Sequence, residues 1–183
     1  VEGSTFTLTT GTDVAVGTAG DDTITATDTT LTSGDVIVDD SSTDADVLNI
    51  TAAADLSAVG TITNIETVNV TASGVLSSGD TTLDVDVANM GADSFNFDSS
   101  NDESLIAGLS VTNADTGSYT ASADFTTVAV ATDADADIVL TTNADVPNSS
   151  TGIADDLTVH GGDKDATITA SAATEDLVVD GAV

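Results

Sequence analysis

Aspartate side chains crowd several short segments of this sequence, and their chemistry is that of oxygen ligands for a hard cation. The clusters are Asp21-Asp22, Asp39-Asp40 with Asp44 and Asp46, Asp133-Asp135-Asp137, Asp155-Asp156 and Asp163-Asp165. Carboxylates packed this closely repel one another, and a bound cation reverses that interaction. Ca²⁺ takes about 6–8 oxygen ligands in a flexible geometry suited to loops, whereas Mg²⁺ tends to keep water. The clusters therefore predict Ca²⁺ sites, with solvated surface charge as the alternative interpretation.

The strongest local pattern is Gly17-Thr18-Ala19-Gly20-Asp21-Asp22-Thr23-Ile24. It matches the repeat G-G-x-G-x-D-x-U of metal-binding β-rolls at every fixed position except Thr18. The glycines permit a tight turn whose carbonyls face the cation. Asp22 then supplies a carboxylate, and Ile24 enters the core.

Two weaker copies of the pattern occur further along the chain. Residues 41–48 keep Asp46 and Leu48 but lack the glycines. Residues 161–168 keep the paired glycines and Ile168, with Lys164 where a glycine would stand and Ala166 where the aspartate would stand. The predicted metal ligands are Asp13, Gly20, Asp21, Asp22, Asp39, Asp40, Asp44 and Asp46.

The elements that must position these turns are short strands. The alternating triplet Leu48-Asn49-Ile50 recurs as Val68-Asn69-Val70, and further triplets begin at Leu157, Thr167 and Leu177 at an even step. Each triplet points alternate side chains to one face, as strands do, and Thr and Val suit a pleated surface. The chain is therefore predicted to be all-β.

Two architectures fit strands at a step of about 10 residues. One is an antiparallel β-sandwich, and the other is a parallel β-solenoid with two strands in a coil of about 20 residues. We favour the solenoid, because aromatic residues make up only 3% of the chain and the core must be thin and aliphatic. Thr-x-Thr triplets at residues 5–7, 23–25, 61–63 and 167–169 do not recur at this spacing. We predict that these threonines face outward and do not stack into a regular array that could bind ice.

The overall composition excludes several functions. The 183 residues hold 32 acidic residues against one Lys and no Arg, for a net charge of −31. Nucleic acids and anionic membrane surfaces need basic contacts, so neither is an expected partner. The absence of Cys excludes disulfides and thiolate sites. No apolar run is long enough for a membrane span, so membrane insertion is not expected. The chain begins at Val1, and we expect it to be processed or part of something longer.

Catalysis is not expected. His160 is the only His, no G-x-S-x-G elbow is present, and we interpret His160 as a surface residue. Paired carboxylates of a glycosidase are conceivable in so acidic a chain. Sugar sites are usually lined with aromatics, however, and the chain has one Tyr and no Trp.

The first 40% of the chain resembles a family. Phe6 to Thr27 and then Gly34 to Ala72, which include the strands L-N-I and N-I-E-T-V-N-V, resemble repeat-in-toxin-like segments of bacterial surface-layer proteins and large secreted adhesins. The resemblance implies a right-handed parallel β-solenoid, secretion without a cleaved N-terminal signal, calcium-dependent folding and lateral assembly on the cell surface.

These observations together predict a secreted, extracellular structural protein at the cell surface. We expect an N-terminal strand and calcium-binding turn region over 1–47 and a solenoid body over 48–183. Bound Ca²⁺ would let the chain assemble into a homopolymeric sheet or filament, with a cell-surface polysaccharide as a further candidate partner. The alternatives are a calcium-rigidified adhesin or stalk module that presents another domain, and a secretion segment separated from a larger enzyme.

Overall fold

Sixteen β-strands make up the regular structure of the described residues, which contain no helix. The computed structural model describes residues 1–57, 59–73, 82–99, 108–114, 117–121, 125, 127–132, 138–142, 155–161, 167–169 and 174–181. The strands are β1 Thr5–Thr7, β2 Val14–Val16, β3 Thr23–Thr27, β4 Val36–Val38, β5 Val47–Ala52, β6 Thr61–Thr63, β7 Thr67–Ala72, β8 Thr82–Asp86, β9 Ser94–Ser99, β10 Gly108–Ala114, β11 Gly117–Ala121, β12 Thr127–Thr132, β13 Ile138–Thr142, β14 Asp155–Gly161, β15 Thr167–Thr169 and β16 Thr174–Gly181.

The strands form three parallel sheets. The eight odd-numbered strands, β1 to β15, follow one another in an eight-stranded sheet. The even-numbered strands form the other two sheets. One is five-stranded, with β8, β10, β12, β14 and β16, and the other is three-stranded, with β2, β4 and β6. Every strand pair is parallel. Successive turns of the chain therefore stack as the coils of a β-solenoid. The predicted all-β solenoid is confirmed, and the antiparallel sandwich is excluded; the right hand of the coil stays a prediction.

Isolated bridges extend two of these sheets. Leu56 pairs with Val85 of β8, and Ile62 of β6 pairs with Met90. The three-stranded sheet therefore reaches one coil further than its named strands, and the five-stranded sheet begins one coil earlier. The middle coils have three flat sides.

The core is a set of stacked rows. In the eight-stranded sheet one inward row runs Ile24, Leu48, Val68, Phe95 and Tyr119, and a second runs Ala26, Ile50, Val70, Phe97 and Ala121. Each row takes every second residue of its strands, as the pleat requires. The first row begins at the partly buried Phe6, beside Ile24, so the predicted aliphatic core is found only from β3 to β7 and the rows contain aromatic residues again from β9. The rings of Phe95 and Tyr119 stack with centroids 5.0 Å apart.

The coils differ in length, although the predicted coil of about 20 residues occurs at the two places where the triplets indicated it. Leu48 lies beside Val68, and Leu157 lies beside Leu177. Elsewhere one coil is shorter, with Thr5 beside Thr23, and another is longer, with Thr67 beside Ser94. The prediction that Thr-x-Thr triplets would not stack is therefore wrong for the first two, because Thr7 also lies beside Thr25.

Both predicted regions contribute to the same sheet. Strands β1 and β3 of residues 1–47 are followed in the sheet by β5, which crosses the predicted boundary, and by β7 of residues 48–183. Within the described part of the chain, no helix is long and apolar enough to cross a membrane.

Candidate metal centre

Three turns stack at one corner of the solenoid, where the chain passes from the three-stranded sheet into the eight-stranded sheet. They are residues 17–22 between β2 and β3, 39–46 between β4 and β5, and 64–66 between β6 and β7. The turns lie on neighbouring coils because β3, β5 and β7 are neighbours in one sheet. Acidic residues of all three turns therefore meet at this corner.

A ladder of carboxylates and backbone amides connects these coils. The side chain of Asp22 accepts a hydrogen bond from the Ser4 amide of the preceding coil. Asp46 Oδ1 accepts from the Asp22 amide at 2.7 Å, and Glu66 Oε2 accepts from the Asp46 amide at 2.8 Å. Each carboxylate thus satisfies a backbone donor that stands just before a strand, a position where the sheet itself leaves the amide without a partner.

Three buried aspartates form the centre of the cluster. Asp22, Asp39 and Asp46 are each at most 1% exposed. One carboxylate oxygen from each lies within 4.8 Å of the others. Oxygens that share one Ca²⁺ at about 2.3–2.6 Å are separated by at most twice that distance. The spacing of this triad, called here the inner triad, therefore fits a common calcium ion.

Two neighbouring residues hold the inner triad in place. A Cβ at Gly17 would lie 2.2 Å from Asp39 Oδ1 and 2.4 Å from Asp22 Oδ2, so only glycine leaves room for both carboxylates. Asn64 has a left-handed backbone with a φ of 54°, and its side-chain amide donates to the Asp39 carbonyl at 3.0 Å. Asn64 thereby fixes the start of the second turn against the third.

The oxygens of the cluster differ in their hydrogen bonds. Both oxygens of Asp22 accept protein donors, from Ser4 and from Thr18. In contrast, Asp39 Oδ1 and Asp46 Oδ2 are buried and have no hydrogen-bond partner among the described residues. Buried polar atoms are almost always satisfied, and an unpaired buried charge is costly. The two oxygens are therefore available to a ligand.

Asp35 provides a contrast within the same fold. It is 2% exposed, and its two oxygens accept the amides of Asp13 at 2.8 Å and Thr32 at 2.6 Å. A buried aspartate of this chain can therefore be satisfied by backbone alone. Asp39 and Asp46, in contrast, each keep one oxygen without a hydrogen-bond partner among the described residues.

Two carboxyl groups of the inner triad, those of Asp22 and Asp46, have pKa values shifted in opposite directions. Burial alone would raise the pKa of Asp22, but the Ser4 and Thr18 donors hold it below its ordinary value. The pKa of Asp46 is raised to about 6, mainly by burial, which the Asp22 amide opposes. The negative charges of Asp39, Asp44 and Glu66 raise it further. A divalent cation would remove this repulsion.

The predicted ligands separate into two groups. Asp22, Asp39, Asp44 and Asp46 lie in the cluster. The other four lie outside it: Asp13 accepts from the Thr9 amide, exposed Asp21 accepts from the Ala45 amide, the Gly20 carbonyl accepts the Thr18 hydroxyl, and Asp40 is exposed. The copy of the glycine pattern at residues 161–168 falls mostly outside the described residues.

Sequence reasoning missed Glu66 as a possible ligand. It lies with Asp44 and Asp46 in a second group whose oxygens are within 4.8 Å of one another. Glu66 belongs to no glycine-aspartate pattern, so no motif identified it. Its position two residues before buried Val68 was the available signal, because the pleat places both on the same face.

Comparison with models of known protein families, with characterised proteins and with solved structures finds no match to this chain. The function must therefore be argued from the site and the fold.

Proposed function

We propose that this chain is an extracellular structural protein that assembles into a surface layer or filament, and that Ca²⁺ bound at the inner triad stabilises its coils. The observation that carries the calcium proposal is the pair of buried, unpartnered oxygens of Asp39 and Asp46 beside Asp22. Three carboxylates, two of them with an unpartnered oxygen, match the hard oxygen ligands that Ca²⁺ prefers. The resemblance to surface-layer and adhesin segments supports the extracellular setting, where calcium is abundant.

The site joins residues of successive coils, so a bound ion would cross-link them. Asp22 precedes β3, Asp39 follows β4 and Asp46 precedes β5. An ion that binds only the folded chain adds about 2.7 kcal/mol to the free energy of unfolding at one hundred times its dissociation constant. That is a large fraction of the stability of an ordinary domain.

Self-assembly is supported by the charge distribution. Two outward rows of the eight-stranded sheet contain no carboxylate among the described residues: Thr5, Thr23, Val47, Thr67, Ser94 and Ser118, and Thr7, Thr25, Asn49, Asn69, Asn96 and Thr120. A third outward row includes the exposed Asp98, beside Thr71. We call the first two rows the uncharged face. In a chain with a net charge of −31, copies that approach through this face bring few carboxylates into opposition.

The proposal is tested by circular dichroism and light scattering on one sample, first in EDTA and then with added Ca²⁺. We expect both the β signal and the particle size to rise with Ca²⁺. The Asp39→Asn variant should need much more Ca²⁺ for the same change, whereas Asp40→Asn, which alters an exposed neighbour outside the site, should match the parent chain.

The other outcomes separate the alternatives. A chain that folds with Ca²⁺ but remains monomeric would be a stalk or adhesin module, and assembly would be rejected. A chain whose β signal and size ignore Ca²⁺ would have acidic turns that serve only solubility, and the calcium proposal would be rejected.

A further inference from the structure

The acidic corner contains a second group of possible ligands, two of which lie outside the inner triad. Asp44, Asp46 and Glu66 offer one oxygen each within 4.8 Å of one another. We call this group the outer triad. The two triads meet at Asp46, and no triad contains both Asp39 and Asp44 among the residues described.

We propose that the corner binds two divalent cations, one at each triad, with the Asp46 carboxylate bridging them. This inference rests on the proposed calcium site and adds a second ion to it. Asp46 is fully buried, and its Oδ2 has no hydrogen-bond partner within the described structure. Asp46 is the residue that both triads share.

Asp44 supplies the second observation. Both of its carboxylate oxygens are buried, and neither has a partner in the described part of the chain. They cannot be assigned to the inner triad, because Asp44 groups with Glu66 and not with Asp39. A single ion at the inner triad would leave both oxygens unsatisfied, at the cost that applies to unpaired buried polar atoms.

Charge balance leads to the same number of ions. The two triads contain five carboxylates: Asp22, Asp39, Asp44, Asp46 and Glu66. One divalent ion leaves three of the five negative charges uncompensated, whereas two ions leave one. The remaining negative charge is offset by the hydrogen bonds that backbone amides donate to the carboxylates of Asp22, Asp46 and Glu66.

The test counts bound Ca²⁺ by isothermal titration calorimetry on the full chain after EDTA treatment and dialysis. Other aspartates of the chain can also bind ions, so the informative quantity is the difference between variant and parent. Asp39→Asn should remove one equivalent from the inner triad, and Asp44→Asn should remove one from the outer triad. The double variant should remove two.

The variants are chosen to leave the fold intact. Asp44→Asn breaks no hydrogen bond within the described structure, since the Asp44 oxygens have none there. Glu66→Gln keeps a carbonyl oxygen for the Asp46 amide and should also remove one equivalent. Asp21→Asn, at an exposed residue outside both triads, is the matched control and should remove none. Circular dichroism of each variant in saturating Ca²⁺ checks the fold.

Three results overturn the inference in different ways. If Asp44→Asn and Glu66→Gln remove no equivalent while Asp39→Asn removes one, the corner holds a single ion and the two-ion centre is wrong. If the double variant removes only one equivalent, both triads share that ion. If Asp39→Asn also leaves the count unchanged, the proposed calcium site itself fails.

Discussion

At the scale of single residues, the position of an aspartate relative to its strand separates buried carboxylates from solvent-exposed ones. Asp22, Asp39 and Asp46 each lie two residues from a buried strand residue, namely Ile24, Ile37 and Leu48. The inward phase of the strand therefore continues into the turn. Asp21 and Asp40 are out of phase by one residue and are exposed. Adjacent aspartates of one cluster thus have different roles.

The raised pKa of Asp46 predicts how the metal-free protein responds to pH. Its folded pKa of about 6 exceeds the ordinary 3.8, so the folded chain binds more protons than the unfolded chain between these values. The free energy of unfolding should therefore fall as pH rises from about 4 to about 6 in EDTA. Asp22, whose pKa is lowered, adds stability that is lost only as pH falls below its ordinary value.

Urea denaturation in EDTA across this pH range measures the effect. Asp46→Asn should flatten the curve between pH 4 and 6 and should stabilise the metal-free chain near pH 7, because it removes the buried charge. Asp21→Asn, which alters an exposed carboxylate outside both triads, should leave the slope unchanged. A slope of equal size in Asp46→Asn would assign the pH dependence to the net charge of the whole chain.

At the scale of elements, acidic side chains connect coil to coil through backbone amides. Besides the ladder at the acidic corner, Asp28 Oδ1 accepts a hydrogen bond from the Ala53 amide at 3.0 Å, and Asp55 Oδ1 accepts one from the Asp84 amide at 3.1 Å. Such bonds satisfy donors at strand ends without any metal. They account for part of the aspartate content that composition alone assigned to calcium or to solubility.

The turn before β3 depends on glycine for a reason that can be tested. Gly17→Ala would place a methyl group between the carboxylates of Asp22 and Asp39 and force them apart. We expect the calcium dissociation constant to rise by about tenfold or more, equivalent to about 1.4 kcal/mol. Calorimetric titration measures the constant.

Gly11→Ala is the matched control, since a Cβ at Gly11 meets only the Thr9 hydroxyl, at 3.6 Å. This variant should bind Ca²⁺ like the parent chain. Unchanged affinity in Gly17→Ala would show that the two carboxylates can separate at little cost, and would contradict the tight placement of the inner triad.

A polar ladder stabilises the outer surface of the eight-stranded sheet. The side-chain amide of Asn69 donates to Asn49 Oδ1, and that of Asn96 donates to Asn69 Oδ1, each at 2.9 Å. These bonds form because the three asparagines occupy the same register position on neighbouring strands. The ladder holds the uncharged face in a fixed arrangement.

At the scale of the whole molecule, the uncharged face predicts where copies meet. Introducing carboxylates there with Thr25→Asp and Thr120→Asp should prevent calcium-dependent growth of particle size, because facing copies would then repel. The proposed calcium-dependent folding should be unaffected, since neither residue belongs to the turns that form the acidic corner. Light scattering and circular dichroism in Ca²⁺ read the two effects separately.

Val14→Asp is the control on the outer side of the three-stranded sheet, where Val14, Val16 and Val36 are exposed. Normal assembly of this variant is expected. If Val14→Asp blocks assembly and the variant that combines Thr25→Asp with Thr120→Asp does not, copies meet through the three-stranded sheet instead.

The strand class follows from the sequence alone, and the sequence favoured the parallel coil over the sandwich and pointed to acidic turn residues of the corner. Short alternating runs of Val, Ile and Thr bury one face as strands, and an aromatic content of only 3% suits a narrow solenoid core. Asp22 and Asp46 were identified from a turn pattern whose carboxylate and core positions the structure reproduces.

Which carboxylates meet became apparent only from the packing of the coils. Coil length varies because turns accept insertions, so spacing along the chain could not place Asp39 beside Asp22 or Glu66 beside Asp46. The hydrogen bonds of each oxygen depend on the neighbouring coil as well. The contrast between Asp35, which is satisfied by backbone amides, and Asp46, which is not, arises from packing between coils.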